Sequence, residues 1–243
     1  DISRIGMYVV GKNGDAFYID NIRVTEGIGA DGNGSHGTQT PEVEDLDWTL
    51  DFEDETVGAR PSDIQTNLVS TDTSYSLKVA EVAGNKVLSV GTQAGAANNV
   101  YLQWWYALPA SYNEVTLSYN IMQVSGHQSN FLTVANNSLQ TPTVRFGTGS
   151  TNLVYYEGNT LKTLAAANAG ESVSHALNQW HTVKIVYAKS GVCKVFVDGV
   201  LTNVTTTKAE AIARVGMYVA GNSTQPGDAF YIDDIYVTEG VGA

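Results

Sequence analysis

The chain has one cysteine, Cys193, among 243 residues, so no internal disulfide can form. Cys193 falls in an alternating apolar run and reads as a small core residue rather than a nucleophile. Cationic side chains are scarce: 13 Lys and Arg stand against 25 Asp and Glu, for a net charge of −12. That balance excludes the basic face a nucleic-acid binder needs and disfavours an anionic membrane surface. No apolar run is long enough to span a bilayer. The four histidines, His36, His127, His175 and His181, lack metal-ligand spacing, and His181 in Q-W-H-T-V reads as a structural strand-edge residue. What is abundant is Gly, Thr, Val, Tyr, Asn and Ser, the look of a β-rich, neutral-polar surface. A large domain of this kind without disulfides suggests a bacterial exported protein, acting outside the cell.

The most informative feature is a repeat. Ile2–Ala30 contains R-I-G-M-Y-V-V-G and D-A-F-Y-I-D-N-I; Ile212–Ala243 contains R-V-G-M-Y-V-A-G and D-A-F-Y-I-D-D-I. Asp15 matches Asp228, a displacement of 213 positions. Residues 1–26 are therefore expected to be the last two strands of a preceding tandem module. Residues 27–47 have almost no apolar content and read as a flexible linker, leaving 48–243 as one complete module. Tandem copies are common in binding arrays, where linked weak sites gain avidity, and this argues against an enzyme. Because residues 1–26 copy the module's own final strands, they are also expected to exchange between chains.

Within the module, short alternating runs separated by turn residues indicate an all-β sandwich. The runs are 76–82, 86–90, 100–106, 114–122, 130–135, 143–147, 152–157, 180–188, 192–197, 213–220 and 230–238. Asp198-Gly199 is expected to be a two-residue hairpin turn. The stretch Leu161–Val173 is helix-like, either a loop or a few helical turns.

The order D-F-E, S-L-K-V, G-N-K-V-L, V-T-L-S-Y-N-I, W-H-T-V-K-I-V-Y, K-V-F-V-D-G and F-Y-I-D-D-I-Y-V resembles the concanavalin A-like (laminin-G-like) superfamily. Within it, the chain most resembles carbohydrate-binding modules of large secreted bacterial polysaccharide-degrading enzymes, over about residues 48–240. The resemblance implies an antiparallel jelly-roll β-sandwich and places Trp180 in the core. Two catalytic patterns of this fold are missing. Retaining glucanases use an E-x-D-x-x-E strand, and no strand here carries it; Glu42–Asp47 lies in the linker. Jelly-roll alginate lyases use an R-x-E-L-R strand, a Q-x-H strand and a Y-x-K-A-G-x-Y strand. Tyr187-Ala-Lys-Ser-Gly-Val-Cys193 faintly resembles the last, and the other two are absent.

The resemblance also implies a structural Ca2+ ion held by a Glu of the first strand and an Asp of the last. In Asp51-Phe-Glu-Asp54, Phe52 is expected to point inward with Asp51 and Glu53 on the other face. If first and last strands are neighbours, Glu53 meets Asp233 or Asp234, a crowded pair that a hard cation would relieve. The first copy keeps Asp20 but has Asn21, so the expected ligands are Glu53 and Asp233. The alternative is carboxylates hydrogen-bonded to backbone or exposed at a strand edge.

Sugar binding calls for flat aromatic faces and planar polar groups. In Asn98–Tyr106, Leu102 and Trp104 share one face, and Tyr101, Gln103 and Trp105 the other. Tyr155 and Tyr156 form a second pair, one in and one out. Arg145 adds a fork donor, and Asn120 and Gln123 add amides. The expected ligand set is Tyr101, Gln103, Trp105, Asn120, Arg145 and Tyr155. The sequence thus reads as a non-catalytic module that holds an attached glycoside hydrolase or lyase, with its sister modules, on a polysaccharide. A β-glucan-backbone polysaccharide such as xanthan is one such ligand. A spacer or adhesion module without sugar binding is the second reading, and an enzyme the third.

Overall fold

The computed structural model describes residues 46–67, 75–92, 101–149, 152–220 and 227–241. The expectations for residues 1–26 and for the linker up to residue 45, strand exchange included, lie outside the described residues. The strands are β1 (Asp47–Leu50), β2 (Gln65–Thr66), β3 (Tyr75–Val82), β4 (Asn85–Thr92), β5 (Tyr101–Tyr112), β6 (Glu114–Gln123), β7 (Ser129–Ala135) and β8 (Phe146–Thr148). They continue with β9 (Leu153–Glu157), β10 (Thr160–Thr163), β11 (Trp180–Ala188), β12 (Val192–Val197), β13 (Val200–Leu201), β14 (Ile212–Ala220) and β15 (Gly227–Glu239).

One sheet runs β13-β12-β11-β6-β15-β4-β3, with β1 on the second half of β15; the other runs β10-β9-β8-β7-β14-β5-β2. Every ladder is antiparallel, and the chain crosses between sheets, giving a jelly-roll sandwich. The alternation of the sequence fills the space between the sheets. Leu117, Tyr119, Ile121, Phe230 and Ile232 come from one inner face, and Leu102, Trp104, Phe131 and Met217 from the other, all fully buried. At ~1.5–3 kcal/mol for each large apolar side chain, this layer supplies most of the stabilisation.

The repeated segment forms the two central strands. β14 lies between β7 and β5, and β15 between β6 and β4. This explains which positions the two copies share: Met7 and Met217, Phe17 and Phe230, and Ile19 and Ile232 are core positions in the described copy. The expected Asp198-Gly199 turn joins β12 to β13, with both residues at positive φ, as a type I′ turn requires.

Two expectations need correction, and one pair of alternatives resolves. Leu46 is buried and Asp47 opens β1, so the sandwich begins inside the segment assigned to the linker. Of the two alternatives after Leu161 the loop holds and the helical turns do not: Thr160–Thr163 is strand, and Asn203 holds the residues that follow, accepting from Ala165 N and donating to Thr163 O. Trp180 is 42% exposed rather than in the core, because His181 and Val183 take the inward positions of β11. Cys193 packs against the core, and burial pushes its thiol up to about 12, which keeps it unreactive. Among the described residues no helix is long and apolar enough to cross a membrane.

Candidate functional site

The outer face of the seven-stranded sheet carries a pocket of about 320 Å³. Its floor is Asn130 on β7, Gly147 on β8 and Val154 on β9; Tyr218 on β14, Arg145 and Tyr156 wall it, and Leu161 on β10 caps one side. Alternation delivers these side chains together. Phe146 and Tyr155 point inward as opposed partners on β8 and β9, which leaves Gly147, Val154 and Tyr156 outward. On β14, Val215, Met217 and Val219 are core, so Arg214, Gly216 and Tyr218 face out.

Arg145 is the centre of this arrangement. Its guanidinium lies 3.6 Å from the centroid of the Tyr156 ring, and its Nε donates to Asn130 Oδ1 at 3.5 Å. Asn130 is itself fixed: Nδ2 donates to Leu139 O at 3.2 Å, which turns Oδ1 toward the arginine. Arg145 therefore presents most of its fork to the pocket in a fixed plane, the geometry that suits a carboxylate. Tyr218 stacks on Tyr101, with centroids 5.2 Å apart. Burial, then the neighbouring Tyr101, push the Tyr218 phenol well above its ordinary range, so it stays protonated. Among the described residues no carboxylate lines the pocket.

The expected ligand set divides. Arg145 is in the pocket wall. Tyr101, Gln103 and Trp105 share the same outer face on β5, but Trp105 packs against Ala135, Leu139 and Tyr218, and Arg214 sits 5.4 Å over its ring. The loop after β7 lies over Gly216, where a Cβ would come within 2.7 Å of Leu139 and of Trp105 and within 2.4 Å of Trp104 O. Trp105 is half-buried against this cluster and stands beside the pocket rather than among the residues that line it. Tyr155 must be corrected: it is 5% exposed, in the core opposite Phe146, and Tyr156 is the outward member of the pair. Asn120 must be corrected too. It lies on β6 in the other sheet, donating to Asp234 and accepting from Thr182. Tyr218, Asn130 and Asn152 escaped the sequence reading. Tyr218 had a signal, since the first copy carries Tyr8 at the same place.

The three histidines among the described residues are bonded into the fold. His127 is sealed between Thr92 and Ser125. His181 bonds Asp198 through Nδ1 and accepts from Ala176 N. Tyr187 of the faint lyase match is core, its hydroxyl donating to Glu210 O. His175 bonds Gln123 Oε1, and burial, then His181, push it down to about 4. Its unfolded value is near 6.5, so only the unfolded chain gains a proton between pH 6.5 and 4, and stability falls across that window. A His175→Gln variant is expected to lose less melting temperature than the parent between pH 7 and 4.5. Parallel profiles in a thermal-shift series would contradict this.

At the expected calcium position β1 does lie beside β15, and Phe52 points inward. Asp233 is 8% exposed; burial, then Asp234, Glu53 and Asp51, hold its carboxyl up to about 6. Glu53 Oε1 accepts from Lys86 N, and Lys86 Nζ bonds the carbonyls of Glu53 and Glu55. Among the described residues no three His, Cys, Asp or Glu side chains converge at metal distance. A hard cation at Glu53 and Asp233 would compete with the Lys86 ammonium for the Glu53 and Glu55 carbonyls.

The fold is that of the concanavalin A-like jelly rolls. Similar solved structures include the cellulose-induced protein Cip1, at 14% identity over 80% of this chain and 100% of that one, with a TM-score of 0.55. A protein of unknown function from Shewanella oneidensis MR-1 shares 12% identity over 82% and 89% of the two chains, with a TM-score of 0.53. The lectin UEA-II complexed with galactose shares 13% over 80% and 98%, with a TM-score of 0.51. No curated protein matches. The family model described as polysaccharide lyase matches residues 32–236, and the chain belongs to that family.

Proposed function

We propose that this module binds an acidic polysaccharide on the outer face of the seven-stranded sheet and does not cleave it. The observation that carries the reading is Arg145, stacked on Tyr156 and aimed by Asn130, in a pocket lined by no carboxylate among the described residues. A uronate, or the acidic side chain of a β-glucan-backbone polymer such as xanthan, supplies the matching anion. The overall −12 charge does not forbid this, because salt screens charges beyond ~8–10 Å and Arg145 acts at contact. In this reading the chain is a secreted targeting module that keeps an attached hydrolase or lyase on its glycan. Native gels cast with neutral and acidic polysaccharides test it: retardation is expected in the acidic gels, and retardation in none would leave the spacer reading.

Family membership supports a second reading, catalysis by β-elimination. That reaction needs a neutralised carboxylate, a base for the proton beside it and an acid for the leaving oxygen. Arg145 fits the first role and Tyr218 the last. Among the described residues that line the pocket, no His, Asp or Glu supplies the base. Unsaturated product absorbing near the far-ultraviolet edge of the protein spectrum, formed by the full chain from a polyuronate, would overturn the non-catalytic reading.

A structural calcium held by Glu53 and Asp233 belongs to the same proposal. Excess calcium is expected to raise the melting temperature by about 5 °C over chelator, a shift lost in Asp233→Asn. No shift would leave these carboxylates bonded to backbone alone, Glu53 accepting from Lys86 N and Asp233 from Asp234 N.

A further inference from the structure

The pocket around Arg145 does not stand alone. It shares Thr148, Gly149 and Asn152 with a depression of about 170 Å³ that ends at His175 and Leu177. On the opposite side it shares Arg145 and Tyr156 with a depression of about 110 Å³ bordered by Asn159, Thr206 and Lys208. The three lie along β9 in order. Asn152 and Leu153 border the first, Val154 and Tyr156 the middle, and Tyr156 and Gly158 the last. From Asn152 to Gly158 the chain advances ~20 Å at ~3.3 Å per residue, several times the width of one sugar ring. Leu139 and its loop close the side toward Trp105, so the open direction runs along β9 rather than across the sheet.

The ends of this row differ in chemistry. The His175 end offers uncharged groups, His175 being held neutral beside Gln123. The other end holds Lys208, whose Nζ donates to Thr141 O and lies 3.6 Å from Glu210 Oε1. An ammonium has three N–H donors, so one remains for a ligand. Asn159 adds an exposed amide in the turn between β9 and β10.

We propose that the three depressions form one groove for an extended glycan lying along β9, and that Lys208 and Asn159 build a second acidic-sugar subsite beyond Arg145. This rests on the acidic-glycan reading above and adds ligand length and direction to it. The test is calorimetric titration of the full chain with uronate oligomers of two to six units, at low salt. For the parent chain, affinity is expected to rise at least tenfold between two and four units and then level off. Lys208→Ala and Asn159→Ala should each flatten that rise while leaving dimer affinity and melting temperature unchanged. Arg145→Ala should weaken binding of every oligomer, roughly ten- to a hundredfold. Equal affinity for all lengths, or a rise that survives both variants, overturns the groove while leaving the Arg145 pocket standing. Absence of binding by any oligomer to the parent chain would sink the acidic-glycan reading and the groove with it.

Discussion

Replacing Arg145 by Ala is expected to weaken acidic-polysaccharide binding roughly ten- to a hundredfold while leaving the melting temperature nearly unchanged. The size reflects the bonds lost. A hydrogen bond to a charged partner contributes ~1.5–3 kcal/mol, and 1.4 kcal/mol is a factor of ten. The small effect on stability reflects the surroundings. Arg145 forms no ion pair within 4 Å among the described residues, and its contacts are one long hydrogen bond and the Tyr156 ring. Arg145→Lys should recover little, since an ammonium neither stacks as a plane nor offers a fork. Trp105→Ala should behave in the opposite way, losing stability through the Leu139 and Tyr218 contacts and affecting binding only through them. Affinity electrophoresis beside a thermal melt separates the two. A Trp105→Ala variant that keeps its melting temperature and loses all binding would mean that the face at β5, not the pocket at β8–β9, is the site.

The second large effect is expected at Gly147. A Cβ there would lie 2.0 Å from Ser129 O and 2.8 Å from Asn130 Cα, both backbone atoms. β7 and β8 pair through only two residues, Ser129 with Thr148 and Asn130 with Gly147, so a methyl group has no space unless the strands separate. Separation would move Asn130, the residue that aims Arg145. Gly147→Ala should therefore lose ~1–3 kcal/mol or more and abolish binding together. At ~2–4 °C per kcal/mol for a domain of this size, the melting temperature should fall by roughly 2–12 °C or more. Gly149→Ala is the matched control. Its nearest neighbour is the Val154 side chain at 3.0 Å, which can rotate, so its effect should be much smaller. Equal losses in the two variants would contradict the argument.

Strand existence was legible because one chemical rule, apolar residues at every second position, fixes both the strand and its buried face. Trp180–Ala188 and Val192–Val197 have the expected bounds, and the ends of most others shift by a few residues. The same rule could have placed Tyr155 correctly. Leu153 is two residues away on the same face, so once Leu153 is core, Tyr155 is core and Tyr156 is not. Sheet membership was not legible. Asn120 is outward on its strand as alternation requires, but nothing local tells which of two sheets β6 joins, and it joins the one without the pocket. Nor could local pattern reveal Leu139, which comes from a loop to cover Trp105. The repeat held more than was taken from it. Arg214, Gly216 and Tyr218 recur as Arg4, Gly6 and Tyr8, although Arg214 and Tyr218 point out of the core.

The central claim is that Arg145 meets the anion. The chain has five arginines, Arg4, Arg23, Arg60, Arg145 and Arg214, so a spectrum of the full chain labelled with 15N-arginine contains five Nε–Hε signals to follow. On titration with an oligouronate, the Arg145 signal, assigned through Arg145→Lys, is expected to move most, with Arg214 beside Trp105 moving little. Movement of Arg214 alone, or no movement at a concentration that retards the chain in gels, would contradict the account and place the glycan elsewhere on the sandwich.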